Sequence, residues 1–309
     1  MAVTASNVRR NRTWPAVRLG LLFISPWLAG FFIFTLYPII ASLYFSFCQY
    51  RVLTPPHWIG FQNYIDMFTD RDYFMTSLYN TFFMFIELPI ALILAVAIAL
   101  LLNQKVSGIS VFRTIYYLPS VVPTVASAVL WLWVLNPQYG LINRTLMMLH
   151  LPTTEWLSDP NWAKPAFIIM DLWSIGGGVV IYLAALQSVP QHLLEAAELD
   201  GASSWQRTLH VTLPAISPVI FFNLILGVIN TFQYFTQTFV MTSASPGGRG
   251  GPANSTLFYA LYLFQNAFEN FRMGYACAMA WFLFIITLVA TLLIFKTSAR
   301  WVYYEGEER

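Results

Sequence analysis

The sequence predicts an all-α integral membrane protein with six transmembrane helices. Hydrophobic residues fill 58% of the 309 positions and charged residues only 10%, against roughly 25% charged in an ordinary soluble domain. A spanning helix needs about 20 mostly apolar residues in a row, and six stretches of the chain meet that need. Together they take up almost half the sequence, which leaves little for a separate water-soluble domain.

The first stretch is Leu19–Phe47, long enough to tilt or protrude. Arg9, Arg10, Arg12 and Arg18 precede it, as they would precede a secretion signal. Its apolar run exceeds the roughly 7–15 residues of a signal core and has no small-residue cleavage site at its end, so it reads as a retained span. The others are Ser77–Leu102, Val111–Leu135, Ala166–Leu186, Val219–Met241 and Met273–Lys296. In lipid every backbone group must find its partner within the segment, so these are helices. Pro26, Pro38, Pro89, Pro119 and Pro123 each remove a ladder hydrogen bond and predict kinks.

Six spans put both termini on one side. With the N-terminus inside, the cytoplasmic segments hold ten basic residues and the outer loops six (Arg51, Arg71, Arg144, Lys164, Arg249 and Arg272). The N-terminal cluster is the strongest part of this bias and predicts cytoplasmic termini. The outer loop Asn136–Pro165 carries Trp156 and Trp162, suited to an interfacial belt. The outer loop Thr242–Arg272 holds Gly247, Gly248, Gly250 and Gly251 and reads as flexible. With no preceding strand and no following Lys-Ser/Thr, its glycines are not a phosphate cradle.

Several classes drop out. The formal charge of +2 gives no reason to expect nucleic acid. Cys48 and Cys277 have no zinc or disulfide spacing. His57, His150, His192 and His210 are scattered, and no catalytic or metal-ligand constellation stands out, so no enzyme is predicted.

The segment 188–214, between spans four and five, breaks the positive-inside pattern. Ser188 reads as a cap, Pro190 sits in the first turn, and the Leu193–Leu199 run has high helix propensity. Gly201 ends that helix, Ser203 with Gln206 forms a capping box for a second short one, and Leu213-Pro214 closes it. Glu195, Glu198 and Asp200 face only Arg207. Anionic headgroups repel such a segment. An acidic helix with an apolar side (Leu193, Leu194, Ala197) fits docking into a groove of another protein; a solvated connector is the alternative.

The order Glu195-Ala196-Ala197, Asp200-Gly201-Ala202 and Leu213-Pro214 resembles the EAA loop of permease subunits of binding-protein-dependent ABC importers. That signature is Glu-Ala-Ala, a Gly about four residues on, and Leu-Pro about a dozen beyond. The lead-in Ala184–Pro190, the run Gly251–Thr256 and the tail Arg300–Gly306 are similar to its sugar branch, the maltose, multiple-sugar and glycerol-phosphate type. The resemblance covers nearly the whole chain. It implies a type I ABC importer permease fold in a bacterial inner membrane. It implies a second homologous permease, two copies of a cytoplasmic ATPase and an extracytoplasmic sugar-binding protein as partners. By the same resemblance, Glu195, Ala196, Ala197, Asp200 and Gly201 carry the ATPase contact. The only lysines follow Gln104, Ala163 and Phe295, so the chain has no P-loop. ATP and Mg would be bound by the partners, and no cofactor is expected in this chain. The implied organisation is a tail 1–18, a first helix and outer loop 19–75, a transmembrane domain 76–297 and a tail 298–309.

Span five carries Asn223, Gly227, Asn230, Gln233, Tyr234 and Gln237 on one helical face. Such amides against lipid would cost several kcal/mol each, so the face meets protein or water. Asn230, Gln233, Tyr234 and Gln237 are candidates for a sugar path; hydrogen bonding between helices is the other reading. Glu87 and Asp171 are the acids inside spans two and four. They belong either to the path or to a structural pair. An ion-coupled secondary transporter is the competing function. It would show duplicated broken helices in two halves, and no repeat is visible.

Overall fold

The computed structural model describes residues 14–104, 106–243 and 248–303. Four helices are long and apolar enough to cross a membrane: Val17–Ser46, Phe74–Leu102, Ser204–Thr242 and Met273–Ser298. Two further spans are bent pairs, Ile109–Val121 with Thr124–Val134 at 100° and Pro160–Trp173 with Gly176–Gln187 at 44°. Counting each pair once gives the six spans that the sequence predicts, numbered here in chain order. The predicted contributions of Arg9, Arg10, Arg12, Lys105, Gly247 and Tyr304–Gly306 lie outside the described residues.

Proline explains part of the bending. In span three Pro123 lacks an N–H and forces Val122 into extended backbone (φ −69°, ψ 127°). The helix ends there and restarts at Thr124. Pro119 stays within the first piece. In span one Pro26 does not end the helix Trp14–Phe31, while Pro38 follows a widened π-helical turn, Phe32–Leu36. Pro89 lies in the first turn of the helix that starts at Glu87, where no intrahelical N–H is needed. Span four crosses span three backbone to backbone: a Cβ on Gly176 would collide with the Tyr116 carbonyl, whereas one on Gly177 meets only Ser120 at 3.8 Å.

The half of the bundle next to the acidic loop is packed by Ala95, Ala99, Tyr182, Leu183, Leu186 and Ile216, from spans two, four and five. Span one stands apart. Its most apolar window has no buried residue, and only its second half packs on span six. Asn63 fastens the end of span one, its amide donating to the Ser46 and Cys48 carbonyls at 2.8 and 2.9 Å.

The loop between spans five and six corrects the expectation of a flexible segment. Leu257, Phe258, Tyr259 and Leu261 are buried, and Tyr259–Phe264 is helical. Asn80 of span two donates to the Asn254 and Leu257 carbonyls at 2.8 and 3.2 Å. Tyr262 Oη donates to Asp70 Oδ2 at 2.6 Å, and burial together with that carboxylate pushes its phenol above the ordinary range. The glycines serve the turns that make this packing possible: Gly250 and Gly251 have φ of 123° and 71°. A second correction concerns Lys164. The helix of span four starts at Pro160, so Lys164 is a helical, half-buried residue rather than a loop residue.

The acidic loop also differs in detail. Its first helix is Gln191–Leu199, preceded by Pro190. Ser188 does not cap it; its hydroxyl donates to the Ala185 carbonyl and finishes span four. Gly201 turns the chain at φ 80°. Ser203 and Gln206 form the capping box. The helix that follows does not close at Leu213-Pro214. It passes through a π-helical turn, Thr208–Thr212, and continues as span five. Pro214 is accommodated because it falls at the start of the next α-helical segment.

Beyond span six the chain folds back onto this junction. Val302 is 2% exposed. The Tyr303 N–H donates to Ser217 Oγ at 2.8 Å, and that hydroxyl donates to the Pro214 carbonyl at 2.7 Å. Trp301 packs edge-on against Phe221.

Two outcomes follow for the purified protein in detergent, read by thermal denaturation and yield of folded material. Gly176→Ala is expected to lower both sharply because the opposing group is backbone and cannot rotate away, while Gly177→Ala leaves them within error. Val302→Asp, which buries a carboxylate, is expected to cost a few kcal/mol, and Ser217→Ala about 1 kcal/mol.

Candidate translocation cavity and partner-facing loop

Four spans carry an irregular turn beside one cavity. The turns fall at Phe85–Ile86 in span two, Val122–Pro123 in span three, Ser174–Ile175 in span four and Gln233–Phe235 in span five, and only spans three and four are sharply bent. Glu87, Thr124, Ser174, Ile175 and Thr236, at or beside these breaks, line a cavity of about 550 Å³. This volume is within the range of small-molecule sites, roughly 300–1,000 Å³.

All six residues assigned to a path from sequence border this one cavity: Glu87, Asp171, Asn230, Gln233, Tyr234 and Gln237. They do so by a different geometry from the one expected. The expectation was a single continuous face of span five. Instead the α-helix ends at Phe232 and resumes at Thr236, with Phe235 at φ −135°. Gln233 and Tyr234 therefore reach the cavity from irregular backbone. Asn223 does not border it, and its amide donates to the Val219 carbonyl of its own helix at 2.9 Å.

Tyr234 is the best-anchored polar group. Its hydroxyl donates to Asp171 Oδ2 at 2.6 Å. Its ring meets Phe167 and Phe258 edge-on, with centroids 6.0 and 5.3 Å away. Gln237 lines the same space beside this carboxylate. Among the described residues lining the cavity none is basic, so neither Glu87 nor Asp171 has a cationic counterpart there. The close approach of spans two and five is set by Gly227, where a Cβ would displace the end of Leu88. The cavity thus offers carboxyl, amide and hydroxyl groups on an apolar floor. It can exchange hydrogen bonds with a polyhydroxylated solute.

Sequence reasoning missed Thr124 and Ser174. Thr124 follows the proline that breaks span three, and Ser174 precedes the glycine run of span four. A break marker beside a small hydroxyl residue is the signal that points to them.

The acidic loop stands clear of the bundle. The helix Gln191–Leu199 has no buried residue, and Leu199 and Trp205 are 89% and 69% exposed. Glu195 accepts from Gln191 Nε2 at 2.8 Å and stays exposed. Glu198 pairs with Arg207 at 2.6 Å, bracing the two sides of the Gly201 turn. Ala197, Asp200 and Gly201 border a shallow concavity between them. Among the described residues no group of His, Cys, Asp and Glu is arranged to hold a metal ion.

Comparison with known proteins agrees with this architecture. The family model for the binding-protein-dependent transport system inner membrane component matches residues 87–302. The Probable ABC transporter permease protein YesP of Bacillus subtilis (strain 168) is 41% identical over 292 residues, covering 94% of this chain and 93% of that protein. The lactose transport system permease protein LacF of Rhizobium radiobacter is 34% identical over 284 residues, covering 90% and 93%. A chain of a bacterial ABC transporter involved in the import of the acidic polysaccharide alginate superposes with a TM-score of 0.81 at 26% identity, covering 94% of this chain and 99% of that one. The same transporter in complex with an alginate pentasaccharide-bound periplasmic protein gives a TM-score of 0.82. The protein therefore belongs to the inner membrane components of binding-protein-dependent transport systems, as a permease subunit of an ABC importer.

Proposed function

We propose that this permease forms half of a carbohydrate path, with the cavity at the four helix breaks as its waypoint inside the membrane. The observation that carries the reading is the convergence of Asn230, Gln233, Tyr234, Gln237, Asp171 and Glu87 on one space. Hydroxyls of a sugar would exchange hydrogen bonds with these amide and carboxyl groups. Such a site must bind well enough to admit the solute and weakly enough to release it. Selectivity would come from the separate binding protein. The relatives' names support a carbohydrate: lactose for LacF, and trehalose/maltose for a Thermococcus litoralis permease 30% identical to this chain.

The second half of the path would come from a homologous permease, because one chain encloses the cavity on one side only. Energy would come from two cytoplasmic ATPase subunits that receive the loop 188–214. Glu195, Ala196, Ala197, Asp200 and Gly201 form the contact, with both termini on the ATPase side. The exposed helix Gln191–Leu199 supports this reading, since among the described residues it has no buried side chain and Leu199 is left 89% exposed. The continuity of the loop with span five supplies a mechanical connection from that contact to Asn230.

Gln233→Ala and Tyr234→Ala are expected to lower uptake in reconstituted vesicles severalfold while the yield of the assembled complex stays near wild type. If yield and uptake fall together in every variant, these groups hold helices together and the path assignment is wrong. For the loop, Gly201→Val forces a Cβ into the left-handed conformation at roughly 1–2 kcal/mol. It is expected to reduce ATPase co-purification or transport per ATP while membrane insertion is unchanged; normal coupling would count against the contact.

A further inference from the structure

Lys164, two helical turns before Asp171 on span four, is a cation without an acidic partner among the described residues. Among the described residues the ion pairs are Arg207–Glu198 and Arg249–Glu269, and neither involves Lys164. Its ammonium donates to Asn80 Oδ1 at 3.0 Å and lies 5.3 and 5.1 Å from the ring centres of Tyr79 and Phe83. An ammonium carries three N–H donors, so two remain available. The two rings offset part of the cost of keeping the charge there. Asn80 is fixed in turn, because its amide N–H groups are spent on the Asn254 and Leu257 carbonyls. The cation is therefore held at a set position with donors to spare.

Its position relative to the cavity gives it meaning. Lys164 lies seven residues before Asp171 on span four, and Asn80 lies seven before Glu87 on span two. Seven residues are two helical turns, roughly 10 Å along the axis and close to the same face. Along the pair formed by these two spans, one positive group thus stands towards the start of span four and two carboxyl groups follow two turns further along. That separation prevents Lys164 from neutralising either acid. A residue needed only to hold the Asn80 carbonyl would not require a charge, and a charge inside a span is costly to keep. Tyr79 is 64% exposed and offers an aromatic surface beside the ammonium.

We infer that Lys164, Tyr79 and Phe83 form an outer subsite for the anionic substituent of an acidic saccharide, such as the carboxylate of a uronic acid residue. The anionic end stays at Lys164, and the hydroxyl-bearing end extends to Asp171, Glu87 and Tyr234, whose oxygens accept its hydrogen bonds. The unlike ends thereby orient the solute. This rests on the carbohydrate reading above and narrows it to acidic sugars.

The test uses the complete transporter, with both permeases, ATPases and binding protein, reconstituted in vesicles. Uptake is measured for a panel of oligouronates and for their carboxyl-reduced, neutral counterparts. Lys164→Gln keeps a donor for Asn80 and removes the charge, while Lys164→Arg keeps the charge. The expected result is that Lys164→Gln raises the apparent KM for the transported oligouronate roughly tenfold or more, the scale of one charge-assisted hydrogen bond. Lys164→Arg retains most of the activity, and both variants assemble at wild-type yield. Equal loss for charged and neutral sugars, or a fall in assembly for Lys164→Gln alone, would overturn the subsite and make Lys164 a structural group. A wild-type transporter that imports only neutral sugars overturns the subsite and leaves the carbohydrate reading standing. Import of neither class overturns both.

Discussion

The constraint on which this structure depends is the cost of an unpaired backbone group in hydrocarbon. A helix in lipid cannot stop without leaving N–H and C=O groups bare, at several kcal/mol each. Breaks are tolerated only where protein or water supplies partners. Here spans two, three, four and five carry irregular turns beside one space. The cavity and the breaks explain each other. Polar side chains and irregular backbone share a single interior space.

That arrangement is held by close approaches rather than by ion pairs. Gly176 lets span four touch the backbone of span three, and Gly227 lets span five touch Leu88 of span two. Tyr234 ties the broken part of span five to Asp171 of span four. Below the cavity, span five runs without a stop into the capping box at Ser203, and the strap through Val302 and Tyr303 clasps it at Ser217. Displacement of the acidic loop is therefore displacement of a helix. Its far end carries the cavity residues.

Much of this could be read in the residues. Long apolar runs fix the number of spans because hydrocarbon thickness leaves few alternatives. Gly201 and the Ser203–Gln206 box are local chemistry and appear as expected. The grouping of Glu87, Asp171 and the polar residues of span five was legible because polar groups have few places to go in a bundle. The break at Gln233–Phe235 was not legible: no proline or glycine marks it, and it depends on Tyr234 reaching Asp171 across two spans. The buried run at Leu257 was hidden by glycines that mimic a flexible loop, and their positive φ values instead make a tight turn. Lys164 was concealed by Pro160 and Pro165. Both resemble loop residues, yet the first starts a helix and the second lies inside it.

Span one bears on the chain's modularity. Its helix satisfies its own backbone, and it touches the body only through its second half and the Asn63 clasp. The family match begins at residue 87, after it. Span one thus stands as an appendage attached to span six through its second half. No residue of span one lines the cavity, so the apolar first half of this helix is a lateral surface whose neighbours, protein or lipid, meet the chain away from that space.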